Sequence, residues 1–373
     1  MNAGSTSRGQ RRERILASPR FRSGRFHNDA SALALPRKSG SFLATTAEYL
    51  FGGAMKRPPG ALPMESPTAA WLRPVDTGLR VTWLGHSTTL VEVDGLRVLT
   101  DPVWSERISP VSIAGPRRFH AAPVAVEQLP PLDAVLISHD HYDHLDLPTV
   151  RRLALREVPF VTSLGVGARL EALGIPPERI TELDWWEEAT ISKRAGGEAG
   201  AGGALTFTAT PSHHFSGRTP FDRNRTAWSS WVIASERRRV FFSGDTGLTT
   251  ELATIRDRKG PFDLVMLEIG AFHEAWGDVH LGPDNALVAH EMLGGGTLLP
   301  VHWGTFDLAL HAWDDPAERL ALGAAKLGVH VVTPRLGRAI EPSQIERIDP
   351  WWREVSAVAG AARPAPRVHA RST

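Results

Sequence analysis

The 373-residue chain contains no cysteine. Disulfides, thiolate metal sites and cysteine nucleophiles are therefore excluded, and any bound metal must be held by His, Asp and Glu. No segment approaches the roughly 18 uninterrupted apolar residues that a membrane-spanning helix requires. Charge of either sign is not in excess: 42 Lys+Arg against 41 Asp+Glu give a formal net charge of +1. No global field argues for nucleic acid. Residues 1–25 are rich in Arg and Ser but have no apolar stretch, which argues against a secretory signal. Arg11-Arg12 reads as part of a basic, flexible, solvated arm. The remaining composition, 42% apolar and 22% charged, is that of a soluble globular protein, and a cytoplasmic location is expected.

Punctuation by Pro, Gly and Arg, as in Pro58-Pro59-Gly60 and Pro63, marks residues 1–75 as a partly irregular N-terminal extension. A main domain is expected over 76–345. A tail over 346–373, with Pro364 and Pro366, is expected to be disordered beyond Trp352. Within the domain, Leu79 to Leu84, Thr88 to Val93 and Leu96 to Thr100 read as strands, the last two joined by an Asp94-Gly95 hairpin. Further strands are expected at Asp133 to Ile137, Phe160-Val161, Thr190 to Ser192, Leu205 to Thr210, Trp228 to Ala234, Val240 to Ser243, Leu264 to Ile269, Thr297 to Val301 and Val329 to Thr333. Helical spacing appears over Leu147 to Arg156, Val166 to Leu173, Asp284 to Leu293 and Pro316 to Leu327. The Gly/Ala run from Ala195 to Ala204 reads as a flexible loop. Strand-rich halves with inserted helices suit a layered α/β sandwich better than a strictly alternating doubly wound sheet.

Chemistry concentrates in Ser138-His139-Asp140-His141-Tyr142-Asp143-His144, directly after an apolar strand. Two histidines two apart in extended chain point to one side. Asp143 and His144, in the turn that follows, can reach a second cation. Three other ligand-type residues or pairs also sit just past apolar strands: His213-His214, Asp245 in Ser243-Gly244-Asp245, and His302 in Val301-His302-Trp303. Loops at strand ends converge in α/β proteins. Alone, Gly244-Asp245 is an ordinary turn; with the others it supplies the carboxylate that a two-cation centre needs. Spacing alone leaves the choice between His213 and His214 open.

These motifs resemble the metallo-β-lactamase superfamily. Longer stretches resemble its branch of N-acyl-phosphatidylethanolamine-hydrolysing phospholipase D: Trp83-Leu84-Gly85-His86-Ser87, Leu99-Thr100-Asp101-Pro102, Gly115-Pro116-Arg117-Arg118-Phe119, Leu132 to His139, and His302-Trp303-Gly304-Thr305-Phe306. Gly24-Arg25-Phe26-His27-Asn28 resembles a segment that precedes the domain in this branch. The resemblance implies a four-layer αββα sandwich. It implies one zinc on His139, His141 and His214, a second on Asp143, His144 and His302, and Asp245 bridging both. His214 is preferred to His213 because the family's ligand precedes the residue matching Phe215. His280 resembles a histidine near the substrate phosphate, its bland alternative being a surface-loop residue, and His86 reads either as structural or as a support behind the ligands. Zinc is preferred to iron because diiron relatives usually carry a carboxylate where His141 stands; Mn2+ and Fe2+ remain compatible with such a ligand set.

The activity implied is that of a zinc-dependent phosphodiesterase of phospholipase D type, with Asp143 and His280 as catalytic residues. The resemblance implies in-line attack of a hydroxide on phosphorus with loss of an alkoxide, for which two bound cations would make hydroxide available at neutral pH. The alternative is a lactonase or a phosphodiesterase for a soluble substrate, since fold does not fix substrate. A non-catalytic scaffold is disfavoured by the complete ligand set, and nucleic-acid processing by the lack of an inserted domain or basic groove. The expected partners are a phospholipid or other phosphodiester, a peripheral membrane contact and a second copy of the chain. Phe42-Leu43 to Tyr49-Leu50-Phe51 either packs on the domain or, with Lys56-Arg57, forms an amphipathic lipid contact.

Overall fold

The computed structural model describes residues 8–28, 54–111, 113–192, 203–273 and 278–358. At the N-terminus lie helix α1 (Arg8–Ala17), the two-residue strands β1 (Phe21–Arg22) and β2 (Arg25–Phe26), and a short helix α2 (Thr68–Trp71). Six strands follow: β3 (Leu79–Gly85), β4 (Thr88–Val93), β5 (Leu96–Thr100), β6 (Ala134–Ile137), β7 (Phe160–Ser163) and β8 (Ile180–Leu183). Helices α3 (Leu147–Ala154) and α4 (Gly167–Glu171) are inserted before β7 and β8. The second half contains β9 (Glu188–Ser192), β10 (Ala204–Thr210), β11 (Ser230–Ala234), β12 (Arg239–Phe242), α5 (Glu251–Lys259), β13 (Leu264–Glu268), α6 (Gly282–Met292) and β14 (Thr297–Val301). It closes with α7 (Asp315–Leu327), β15 (Ala339–Ile340) and α8 (Trp351–Ala357).

Two mixed sheets result, in the orders β15-β3-β4-β5-β6-β7-β8 and β14-β13-β12-β11-β10-β9. Strands β5 to β8 run parallel, as do β12 to β14, and each parallel set is flanked by antiparallel hairpins. Period-two alternation decides what each face meets. In β6, Ala134 and Leu136 pack into the large core shared with the second sheet, while Val135 and Ile137 pack with Val150, Leu153, Val166 and Leu170 beneath α3 and α4. On the far side, Leu252, Ile255, Ala286, Leu287, Leu320 and Ala324 cover the second sheet with α5, α6 and α7. The chain is a four-layer αββα sandwich. Coverage on both faces explains why β6 is apolar throughout. The β4–β5 turn has both Asp94 (φ 46°) and Gly95 (φ 83°) in the left-handed region, the conformation that favours Asp-Gly in two-residue hairpins.

Several expectations need correction. The basic arm is not solvated throughout: α1 docks on the domain, with Arg11 5% exposed. Its Nε donates to Glu182 and its Nη2 to Glu171, each at 2.5 Å. Buried carboxylates on the domain draw the arginines in. Arg20 pairs with Asp184 and lies over the Trp185 ring. At the other end, Trp352 does not open a disordered tail, because α8 buries Trp351 and Trp352 and the indole of Trp352 donates to Glu318. Residues 359–373 lie outside the described residues, as do the Phe42 to Phe51 stretch and 195–202 of the Gly/Ala run, whose last residue, Ala204, begins β10. Val329 to Thr333 forms no strand, only an isolated bridge between Val331 and Leu298. No helix among the described residues is long and apolar enough to cross a membrane.

The Arg20–Asp184 pair, with side chains 10% and 12% exposed, anchors the N-terminal segment. Burial raises the Asp184 carboxyl, but Arg20 outweighs it and the net pKa lies below the ordinary aspartate value. The pair's stabilisation is therefore present above the unfolded aspartate pKa and is lost as pH falls through the depressed folded one. Asp184→Asn leaves a buried guanidinium without its counter-ion and should cost about 3–5 kcal/mol at neutral pH. The substitution should also flatten the acid limb of stability. Urea unfolding at pH 7 and pH 3 checks this, and an unchanged midpoint in both would rule the anchor out.

Candidate metal centre

The cluster forms because strand ends from both sheets meet on one edge of the sandwich. His86 follows β3, Asp101 follows β5, His139 follows β6, Asp245 follows β12 and His302 follows β14; Glu268 is the last residue of β13. Sharp turns aim these side chains inward. His86 (φ 53°), Asp101 (φ 33°) and His302 (φ 61°) all adopt left-handed backbone, a conformation that costs non-glycine residues of order 1–3 kcal/mol and clusters at functional sites. Gly244 (φ 53°) lets the Asp245 loop close on β6, since a Cβ there would lie 2.7 Å from the Ser138 Cβ.

All seven residues expected as ligands come together, in two groups with the Asp245 carboxylate between them. In the first, the His141 Nδ1 lies 2.9 Å from the His139 Nε2 and 3.3 Å from the His214 Nε2. Asp245 Oδ2 stands 3.9 Å from the first of those Nε2 atoms and 3.6 Å from the second. In the second group, Asp143 Oδ2 is 3.5 Å from His144 Nε2 and 3.4 Å from His302 Nε2, and those two nitrogens lie 3.1 and 3.2 Å from the carboxylate of Asp245. The donor atoms of His139, His141, His214 and Asp245 fall within 4.8 Å of one another, as do those of His86, Asp143, His144 and His302 and those of Asp245, Glu268, His280 and His302. His213 turns away to Asp278 at 3.1 Å, so the geometry separates two neighbours that spacing could not.

The outer shell presents the inner nitrogens. His144 Nδ1 donates to Asp101 at 2.6 Å, and His214 Nδ1 donates to the Val279 carbonyl at 2.9 Å. Each bond holds a tautomer whose Nε2 lone pair faces the cluster, the arrangement of carboxylate- or carbonyl-oriented metal histidines. Asp101 also accepts from the backbone and hydroxyl of Ser138. His86 Nε2 reaches Asp143 at 3.0 Å, while its carbonyl accepts from the His302 N–H and the Trp83 indole. Its role is therefore tied directly to the cluster and not to packing alone. His280 is not a surface-loop residue: its Nδ1 donates to Glu268 at 2.6 Å, and its ring centroid lies 5.1 Å from that of His214. Glu268 is fully buried and also accepts from the Thr246 N–H at 2.7 Å.

Does this set suit a cation? His144 Nε2, Asp245 Oδ1 and both ring nitrogens of His302 are buried and lack hydrogen-bond partners. Close carboxylate–imidazole distances are present, but they are not aligned as hydrogen bonds. Leaving such atoms unsatisfied costs about 1–3 kcal/mol each, a cost that coordination removes. The ionisations point the same way. Burial pushes the His86 imidazole down to about 3, with His302 adding to the shift. Burial opposes charge on His302 as well, yet Asp245 and Asp143 outweigh it and raise that imidazole to about 10. Burial would raise Asp245, but His144 and His302 hold it well below the ordinary carboxylate range. Two buried carboxylates thus demand positive charge, and an all-nitrogen-and-oxygen donor set meets the preferences of zinc, manganese or iron.

The sequence alone gives no role to Glu268, and Asp101 and Asn28 enter it only within stretches that resemble the family. Glu268 had a legible signal, a lone acid ending the apolar Leu264 to Leu267 run. The partners of Asp101 and Asn28 lie too far along the chain to be read from spacing.

Residues 96–303 match the family described as the beta-lactamase superfamily domain. An uncharacterised protein of Mycobacterium tuberculosis is 44% identical over 90% of this chain and 88% of its own length. N-acyl-phosphatidylethanolamine-hydrolyzing phospholipase D 1 of Caenorhabditis elegans is 36% identical over 62% of this chain and 66% of its own. Among solved structures, a metallo hydrolase of Ignicoccus hospitalis superposes with a TM-score of 0.52 at 21% identity, covering 70% of this chain and 97% of that one.

If the two groups each hold a cation, purified protein should carry close to two metal equivalents by elemental analysis. Asp245→Ala should lose both, because the Asp245 carboxylate lies between the two groups, whereas His141→Ala should lose one. Asp101→Ala should keep the ligands but weaken metal binding about 10–100-fold. Metal-free protein with full activity would rule the centre out.

Proposed function

Because the chain belongs to the beta-lactamase superfamily and has the fold of its metal-dependent hydrolases, we propose that it is a di-zinc phosphodiesterase of phospholipase D type. One cation is assigned to His139, His141, His214 and Asp245, the other to Asp143, His144, His302 and Asp245. The observation that carries this reading is the place of the Asp245 carboxylate, 3.6–3.9 Å from Nε2 of His214 and His139 on one side and 3.1–3.2 Å from Nε2 of His144 and His302 on the other, beside the Glu268–His280 pair. When bound, paired cations lower the pKa of water towards about 7 and polarise a phosphoryl oxygen.

The chain's own side chains supply the rest. The side chain of Asp143, at 16% exposed, is the most open of the carboxylates placed around the centre. It orients the attacking water while the hydrogen bond from His86 Nε2, at 3.0 Å, fixes its Oδ2. Glu268 occupies His280 Nδ1 and leaves Nε2 to the substrate. From there it stabilises charge on the phosphoryl group and delivers a proton to the departing alkoxide. Water oxygen bonds to phosphorus and releases one proton to solvent, the phosphorus–oxygen bond to the ethanolamine side breaks, the alkoxide takes the proton of His280, and solvent returns a proton to His280. With an N-acylated ethanolamine phospholipid the products are phosphatidate and an N-acylethanolamine.

The C. elegans relative's name supports the substrate class. So does Phe221, 83% exposed on a loop tied to the metal-ligand turn: Gly217 N–H donates to Asp140, and the Tyr142 hydroxyl donates to the Arg218 carbonyl. An exposed apolar side chain on that loop supports a substrate with an acyl chain.

A panel of N-acyl phosphatidylethanolamine, a generic phosphodiester and simple lactones, at matched enzyme concentration, tests the substrate. Turnover of the lipid to phosphatidate is expected, whereas turnover of lactones without the lipid would overturn the proposal in favour of a soluble-substrate hydrolase. His280→Ala should lower kcat about 10²–10⁴-fold with both metal equivalents retained. Glu268→Gln should lower it less.

A further inference from the structure

His214 lies four residues past β10, on irregular backbone, and no residue of its own strand fixes it. Loop residues hold a productive geometry only when something outside the loop fixes them. Here the support is remote in sequence. Asn28 Nδ2 donates to the His214 carbonyl at 2.8 Å, and Asn28 Oδ1 accepts from the His214 N–H at 3.1 Å. One side-chain amide thus satisfies both backbone groups of a single ligand residue. The Trp228 indole donates to the same Oδ1 at 3.0 Å and to the Ser212 carbonyl at 3.1 Å, which sets the amide's orientation.

The segment bearing Asn28 is itself fixed. Phe26 is fully buried against Leu164, Ala227 and Trp228. Its N–H donates to the Asn224 carbonyl at 2.7 Å, and Asn224 Nδ2 returns a bond to the Phe26 carbonyl at 3.2 Å. Asn224 Oδ1 in turn accepts from Ser216 N–H. The loop from Ser212 to Ser216 is therefore held on both sides of His214 by contacts that lead back to the N-terminal segment.

We infer that Asn28 is a positioning residue for the metal centre, clamping the backbone of His214 so that its Nε2 meets His141 and Asp245. The N-terminal segment is then part of the site and not an accessory to the fold. This rests on reading the cluster as a two-cation centre, and its signature is selectivity: only the group containing His214 depends on the clamp.

The test titrates metal-free protein with Zn2+ in competition with a chromophoric chelator, which reads each equivalent separately. Asn28→Asp keeps the size but sets a carboxylate oxygen against the His214 carbonyl. One of the two equivalents should weaken about 10–100-fold while the other is unchanged. Asn28→Ala removes the bonds without the repulsion and should weaken the same equivalent less, so it carries the test if the aspartate variant fails to fold. Equal weakening of both equivalents, or none, would assign Asn28 a purely structural role and overturn the inference. Wild-type protein that takes up no Zn2+ would instead overturn the reading on which it rests.

Discussion

The structure depends on the solvation of one carboxylate. Asp245 is 4% exposed and is surrounded by the imidazoles of His139, His144, His214 and His302. A carboxylate removed from water needs compensating charge or donors. Protons on neighbouring imidazoles can meet that need, and cations meet it better, because the inward nitrogens lack aligned partners. The surrounding architecture keeps this arrangement dry and converged: five strand ends, left-handed turns at three of them, and a glycine where two loops nearly touch.

Around that centre lies a second layer that fixes direction. Asp101, Glu268, the Val279 carbonyl and Asn28 each hold a histidine by a group other than the one facing inward. Asp101 and Glu268 occupy Nδ1 of His144 and His280, and the Val279 carbonyl that of His214. Asn28 holds backbone instead. Such partners determine which nitrogen is offered and at what angle, so a chain with the same inner residues but another outer layer would bind and act differently.

Legibility in the sequence followed locality. His139 to His144 could be read because the residues are adjacent and follow an apolar strand, and the hairpin at Asp94-Gly95 because its turn chemistry is self-contained. Asp245 and His302 became legible once several strand ends were compared. The pair His213-His214 could not be resolved by spacing, because the decision lies in the Val279 carbonyl and Asp278, more than sixty residues away. The docked α1 was misread for the same reason: nothing near Arg11 announces that Glu171 and Glu182 will be buried opposite it. Helix α5 was missed because its buried residues are only Leu252 and Ile255, too few to form an apolar stripe.

The span of the clamp has a consequence for the order of assembly. Asn28 meets His214, and the second group is incomplete without His302, so the centre joins residues from both ends of the chain. During synthesis, at about 5–20 residues per second, the clamp segment emerges on the order of tens of seconds before the last ligand. Nascent intermediates must carry the unpaired arginines of α1, the exposed Phe26 and a half-built set of imidazoles through that interval. Contacts of such long sequence separation slow folding, so the cluster needs both the early N-terminal segment and the late β14 end before its side chains can converge.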